Sequence, residues 1–112
     1  MVKKFHGTFT VMVTAFDNEG LIDLDAQSRF TEWQVDNGIH GLIPLGSTGE
    51  FLSMSFAERK AVAECVIKTV NGRVPVLVGA GAESTEDVIA NVEMAEKLGA
   101  DGTMIIPPFY ST

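Results

Sequence analysis

Two hydrophobic rhythms alternate along the chain. In Gly7–Phe16 (Gly-Thr-Phe-Thr-Val-Met-Val-Thr-Ala-Phe) β-branched and aromatic residues crowd a short run that stops at Asp17-Asn18-Glu19-Gly20, which predicts a strand and its exit turn. Asp23 can cap a helix whose apolar residues Ala26, Phe30 and Trp33 follow helical spacing, closed by Asn37-Gly38. A second strand, Gly41–Gly46, follows directly. Ser55-Phe-Ala-Glu58 has the form of a capping box, in which a hydroxyl and a carboxylate satisfy each other's orphan backbone donors. The helix it opens reaches about Val70, with Ala61, Val62, Cys65, Val66 and Val70 as its core stripe and Asn71-Gly72 as its stop. Val74–Val78 is the third strand, apolar throughout after Pro75 as expected of a strand covered on both faces. Ser84 or Thr85 caps a third helix with the stripe Val88, Ile89, Val92, Ala95 and Leu98, ending at Gly99. Gly102–Ile106 is a fourth strand, ended by Pro107-Pro108.

The order β-α-β-α-β-α-β predicts an α/β fold with a parallel sheet and right-handed crossovers. Its period of about 30 residues is the βα unit rather than a solenoid repeat. No linker or low-complexity tract interrupts it, so residues 1–112 read as one partial domain. A helix is expected after strand four, and the sequence therefore reads as the first part of a larger α/β protein. These elements are under half of those in a (β/α)8 barrel, which needs about 250 residues.

Parallel strands all exit the same way, so Thr14 and Phe16, Ser47 and Thr48, Gly79 and Gly81, and Phe109 and Tyr110 are expected around one mouth. At its centre is Leu-Ile-Pro-Leu-Gly-Ser-Thr-Gly-Glu, residues 42–50, where an apolar run empties into two hydroxyls, a glycine and a carboxylate. Glycines at 46 and 49 would let the backbone turn with its N–H groups exposed to an anion such as a carboxylate or phosphate. The alternative is an ordinary strand-to-helix turn. Tyr110 is either a phenolic donor to this site or an aromatic plug. Glu50 reads as a structural carboxylate bonding local N–H groups ahead of a catalytic one. His6 and His40 fall at the opposite end of the sheet and read as structural.

Fifteen acidic against eight basic side chains give a net charge of −7, which argues against a nucleic-acid surface or an anionic membrane as partner. The single cysteine, Cys65, reads as a small buried side chain and suits a reducing, cytoplasmic compartment. No apolar run approaches the roughly 20 residues of a membrane helix, and no cluster has metal-ligand spacing. No cofactor is implied.

Gly-Ser-Thr-Gly-Glu after strand two, Leu-Ser-Met-Ser-Phe-Ala-Glu-Arg at the second helix, Val-Pro-Val-Leu-Val-Gly-Ala-Gly, and Gly-Ala-Asp-Gly with Pro-Pro-Phe-Tyr together resemble the dihydrodipicolinate synthase / N-acetylneuraminate lyase family, in order along the whole chain. The resemblance implies a (β/α)8-barrel class I aldolase or lyase, a homo-oligomer, that joins pyruvate or a related 2-keto acid to a lysine as a Schiff base. It further implies that Ser47 and Thr48, with backbone N–H groups of the loop at Gly49, hold the keto-acid carboxylate. Ser47 also takes the hydroxyl position of a proton relay, and Tyr110 the aromatic hydroxyl that one subunit inserts toward its dimer partner's relay. Thr14-Ala15-Phe16 departs from the family's common Thr-Pro-Phe. The Schiff-base lysine on strand six and the relay tyrosine on strand five would lie beyond Thr112, so the chain alone is expected to be inactive. Lys3 and Lys4 fall at the wrong end of the sheet, and Lys60, Lys68 and Lys97 on outer helices.

Two other readings compete. Gly46-Ser-Thr-Gly and Gly79-Ala-Gly81-Ala-Glu-Ser84 resemble phosphate loops of a flavodoxin-like or Rossmann-type nucleotide-binding module, although Ser84 stands where a third glycine is needed. Alternatively, an uncovered parallel sheet would make a non-catalytic, self-associating half-barrel.

Overall fold

The computed structural model describes residues 5–107. Four strands, β1 (Phe9–Val11), β2 (Gly41–Ile43), β3 (Leu77–Gly79) and β4 (Gly102–Met104), alternate with three helices, α1 (Leu24–Asp36), α2 (Phe56–Val70) and α3 (Thr85–Leu98). Two short 3-10 turns, Ser47–Gly49 and Phe51–Ser53, fill the connection from β2 to α2. All seven expected elements are present in the expected order.

The strands pair in parallel and in chain order. β1 lies on β2 with Thr10 opposite Leu42, and β3 on β4 with Val78 opposite Thr103. A parallel Leu42–Val76 bridge and the bonds Leu42 N–H to Pro75 O (3.0 Å) and Gly79 N–H to Pro44 O (2.9 Å) join the two pairs. A β1-β2-β3-β4 order differs from doubly wound nucleotide-binding sheets, whose order reverses at a switch point beside the first strand. α1 packs on α2 and α2 on α3.

Each strand is shorter than its hydrophobic run, for a local reason. Past Val11, β1 is held by a side chain: buried Gln27 accepts from Ala15 N–H (2.7 Å) and donates to Val13 O (3.2 Å), replacing ladder bonds. β2 ends where Pro44 lacks a donor and Leu45 turns to φ 65°. Val76 N–H is taken by the Asp101 carboxylate at 2.9 Å, so regular β3 begins at Leu77. β4 stops at Met104, two residues before the expected Ile106.

Helix termini follow local chemistry closely. Asp23 accepts from Ala26 N–H, Ser84 from Asp87 N–H, and both bonds of the Ser55–Glu58 capping box form. Asn71 and Gly99 close α2 and α3 in the left-handed conformation. The helix stripes are less faithful to expectation. Trp33 is 58% exposed and stacks on Phe30, while fully buried Gln27 and Thr31 face the sheet from α1. Ile89 is exposed, and Asn91 and Met94 are buried instead. On α2, Val62, Val66 and Val70 are buried as expected; Ala61 and Cys65 are only partly buried, and Ala63 and Arg59 join the interior. The Cys65 thiol donates to Leu24 O (3.4 Å), and burial pushes it up from its ordinary value. The core joins Met12 of the first strand run, Leu42 and Leu45, Val78, the α2 valines and Met94 with Ala95.

Arg73, beyond α2, ties the base of the helix layer. Its guanidinium donates to both carboxylate oxygens of Glu32 on α1 (2.6 and 3.0 Å) and to Val70 O and Thr69 O (2.9 and 2.7 Å). The Arg73 hydrogen bonds hold the Glu32 carboxyl below its ordinary value of 4.5. A depressed carboxylate contributes stability above its unfolded pKa and loses it as pH falls through the folded one. The difference in urea midpoint between wild type and Arg73→Ala is therefore expected to be constant from about pH 7 to about pH 5 and to shrink below that, and to be modest throughout because the pair is exposed.

Candidate active site

The β2 exit is shaped by strain and by close approach. Leu45, 1% exposed, is held at φ 65° in a region that leucine rarely adopts. Its carbonyl oxygen lies 2.0 Å from where a Cβ on Gly79 would stand, so only glycine lets β3 come this near. Gly46 is extended (φ −84°, ψ −174°), and Ser47–Gly49 then form a 3-10 turn closed by Gly49 N–H to Gly46 O (2.9 Å) and Glu50 N–H to Ser47 O (3.0 Å). Glu50 is left-handed at φ 61°.

The loop thus departs from its sequence reading. Its left-handed residues are Leu45 and Glu50 rather than the two glycines. Gly49 is needed for space: a Cβ there would stand 3.0 Å from Met12 O and 3.2 Å from Thr14 Oγ1. Buried Thr14 donates its hydroxyl to Gly49 O at 2.7 Å and so pins the turn to the first strand run. Two of the turn's N–H groups are consumed internally. Those of Ser47 and Thr48 meet no acceptor among the described residues, as at any helix start.

Ser47 and Thr48, both exposed, form one rim of a cavity of about 200 Å³. Gly79 and Gly81 also line it, Gly79 close beside Leu45 and Gly46, together with the apolar Val11, Met104, Ile106 and Phe51. The expected convergence of strand exits therefore holds for Ser47, Thr48, Gly79 and Gly81. Thr14 stands behind the loop, and Phe16 is bridged to Ile22 across the turn after the first strand run. Phe109 and Tyr110 lie outside the described residues. The Glu50 carboxylate takes no local N–H among the described residues, contrary to expectation, and is exposed. His40 accepts from Thr8 N–H (2.8 Å) and packs near His6, in keeping with a structural role. Lys60 and Lys97 line a separate groove between α2 and α3, and Lys68 pairs with Glu64 on α2. Among the described residues, no group of three His, Cys, Asp or Glu side chains is placed to hold a metal ion.

Sequence reasoning missed Arg59. An arginine in the first turn after a capping box reads as solvated, yet this one is 7% exposed. It donates to Gly79 O and to Gly81 O (all 3.2 Å) and lies 5.0 Å from the Phe51 ring centroid. Asn91 on α3 donates to Ala80 O between them (3.2 Å). Burial pushes the Arg59 guanidinium below its ordinary value, and the nearby Asp87 charge partly restores it. The one available signal was indirect: three carbonyls at a strand end covered by helices need donors from somewhere.

Two substitutions test this architecture. Thr14→Val leaves the buried Gly49 carbonyl without its donor and is expected to cost about 1–3 kcal/mol in urea unfolding. Gly79→Ala forces a methyl into the Leu45 carbonyl; a loss of at least about 2 kcal/mol is expected, with backbone shifts at residues 45–47 in amide NMR spectra.

The chain matches the Dihydrodipicolinate synthetase family over residues 4–112. It is 46% identical over 107 residues to the 4-hydroxy-tetrahydrodipicolinate synthase of Rhizobium meliloti and 41% identical over 107 residues to that of Acidiphilium cryptum, in each case over 96% of this chain. It spans 36–37% of the length of those relatives. Among solved structures, dihydrodipicolinate synthase from Thermotoga maritima superimposes with a TM-score of 0.89 at 42% identity over 95% of this chain and 36% of that one. The prophage protein YagE of E. coli K12, solved in complex with pyruvate, superimposes with a TM-score of 0.92 at 35% identity over 96% and 36%. With the parallel strand order, the sequence match and these structural neighbours in agreement, the chain belongs to the dihydrodipicolinate synthetase family.

Proposed function

We propose that this chain is the N-terminal portion of a Schiff-base-forming lyase or aldolase acting on pyruvate or a related 2-keto acid, and that it supplies the carboxylate end of the pocket. One observation carries the reading. Ser47 and Thr48, which carry hydroxyls and whose N–H groups meet no acceptor among the described residues, line a small cavity whose described lining holds no ionisable side chain. Hydroxyl and N–H donors of this kind suit a carboxylate, while Val11, Met104 and Ile106 suit a methyl or short carbon chain.

In this reading Ser47 and Thr48 bind the carboxylate with the Gly49 turn behind them. The Ser47 hydroxyl passes protons without gaining charge. Tyr110 contributes a phenol to a partner subunit's relay, which makes the working protein a homo-oligomer in a reducing, cytoplasmic setting. The amine that forms the imine with loss of water comes from outside the (β/α) units described here, since no lysine borders the cavity among the described residues. The isolated chain therefore binds keto acid without trapping it covalently. Val11 and Met104, 42% and 41% exposed on the cavity side of the sheet, also favour self-association of the isolated chain.

Incubation with pyruvate and borohydride followed by intact-mass measurement is expected to show no reduced adduct; a stoichiometric adduct would place a reactive lysine in the chain and overturn the claim that the imine-forming amine comes from elsewhere. Pyruvate titration is expected to move the amide signals of Ser47 and Thr48. Ser47→Ala is expected to weaken binding about ten- to hundredfold by removing one hydrogen bond to a charged group.

A further inference from the structure

We propose that Arg59 is a positioning residue for this cavity: from outside it, the guanidinium clamps the carbonyls of Gly79 and Gly81 and so fixes the glycine part of the lining that Ser47 and Thr48 share. The proposal rests on the keto-acid reading of the cavity.

Gly79 and Gly81 have no side chains to pack, and glycine backbone is the freest to move. Their place in the lining must be imposed by neighbours. Gly79 N–H is bonded to Pro44 O, and Ala80 N–H to Met104 O, each at 2.9 Å, which anchors one side of the segment to the flanking strands. On the other side, Arg59 takes the carbonyls of Gly79 and Gly81, and Asn91 that of Ala80. Three successive carbonyls are thus held by two helices, and only a planar fork can span the first and third from one side chain.

Arg59 is held in turn at some cost. Its Nε is buried without a hydrogen-bond partner, a penalty retained although a smaller side chain would avoid it. The guanidinium lies against the ring of Phe51, which itself lines the cavity. One side chain therefore braces two parts of the cavity lining, the glycines and the aromatic ring. Because it does not line the cavity, Arg59 acts through these groups and does not touch the ligand.

Arg59→Lys separates clamping from charge, since an ammonium keeps the cation but reaches only one of the two carbonyls. In the 112-residue chain, this variant is expected to bind pyruvate about tenfold more weakly by NMR titration. It should also speed hydrogen exchange at Ala80 N–H while leaving Val66 N–H, in the middle of α2, unchanged. Arg59→Met should bind more weakly still; if it does not fold, Arg59→Lys decides alone. Unchanged pyruvate affinity in Arg59→Lys would overturn the proposal, as would equal acceleration at Ala80 and Val66, the mark of a merely global loss of stability. If wild type itself shows no pyruvate-dependent shifts at Ser47 and Thr48, the keto-acid reading fails and takes this proposal with it, whereas failure in the variant alone leaves that reading standing.

Discussion

The site depends on how closely β2 and β3 approach at Leu45 and Gly79. The Leu45 carbonyl occupies space that any side chain at 79 would need, and Leu45 reaches it only by adopting a left-handed backbone. Such a conformation costs a non-glycine residue on the order of 1–2 kcal/mol and persists only where its surroundings enforce it. Here a fully buried side chain on one side and the bond from Gly79 N–H to Pro44 O on the other do so. The result is a chain that leaves the sheet sharply, aiming the Ser47–Gly49 turn back over the strand exits instead of onward into α2.

A second consequence follows for the first strand run. Met12 and Thr14 point to the buried side while Val11 and Val13 remain exposed on the other, as a period of two requires. That alternation lets one short segment serve three ends. Met12 fills the core, Thr14 pins the Gly49 turn, and Val11 borders the cavity. Regular pairing is given up after Val11, and Gln27 supplies the missing bonds from α1. The β2 exit and its Ser47–Gly49 turn are thus tied to both neighbours, by Thr14 toward the first strand and, at Pro44, by the bond from Gly79 N–H toward β3.

The elements and their order were legible because they rest on local chemistry: caps at Asp23, Ser55 and Ser84, stops at Asn71 and Gly99, and apolar runs between them. The convergence of Ser47, Thr48, Gly79 and Gly81 was legible because it follows from parallel topology alone. What escaped the sequence depends on partners far away in the chain. Gln27 and Asn91 look like solvated helix residues until the backbone groups they serve are known, buried Thr31 bonds only its own helix, and Trp33 looks like core until it is left on the outside. The glycines of the loop were recognised, but for turn geometry instead of close contact, that of Gly49 with Met12 and Thr14 and that of Gly46 with Val11. Arg59 belongs to the same group: its burial makes sense only once the carbonyls of Gly79 and Gly81 are seen to need it.

Electrostatics sharpen the role of that arginine. A chain with a net charge of −7 does not draw in an anion by its overall field. On the keto-acid reading, attraction must come from groups at the site, and the described cavity lining has none that ionise. Fixed N–H and O–H dipoles can do this work if they are already oriented, because no reorganisation is then needed when the charge arrives. Orientation is therefore worth more here than added charge would be, and a buried cation spent on holding two carbonyls is consistent with that economy. It also relates the strain at Leu45, the contact at Gly79 and the clamp at Arg59, which are 14 to 34 residues apart in the chain but act around one small cavity: on the keto-acid reading, each constrains backbone that lines or adjoins the proposed binding groups.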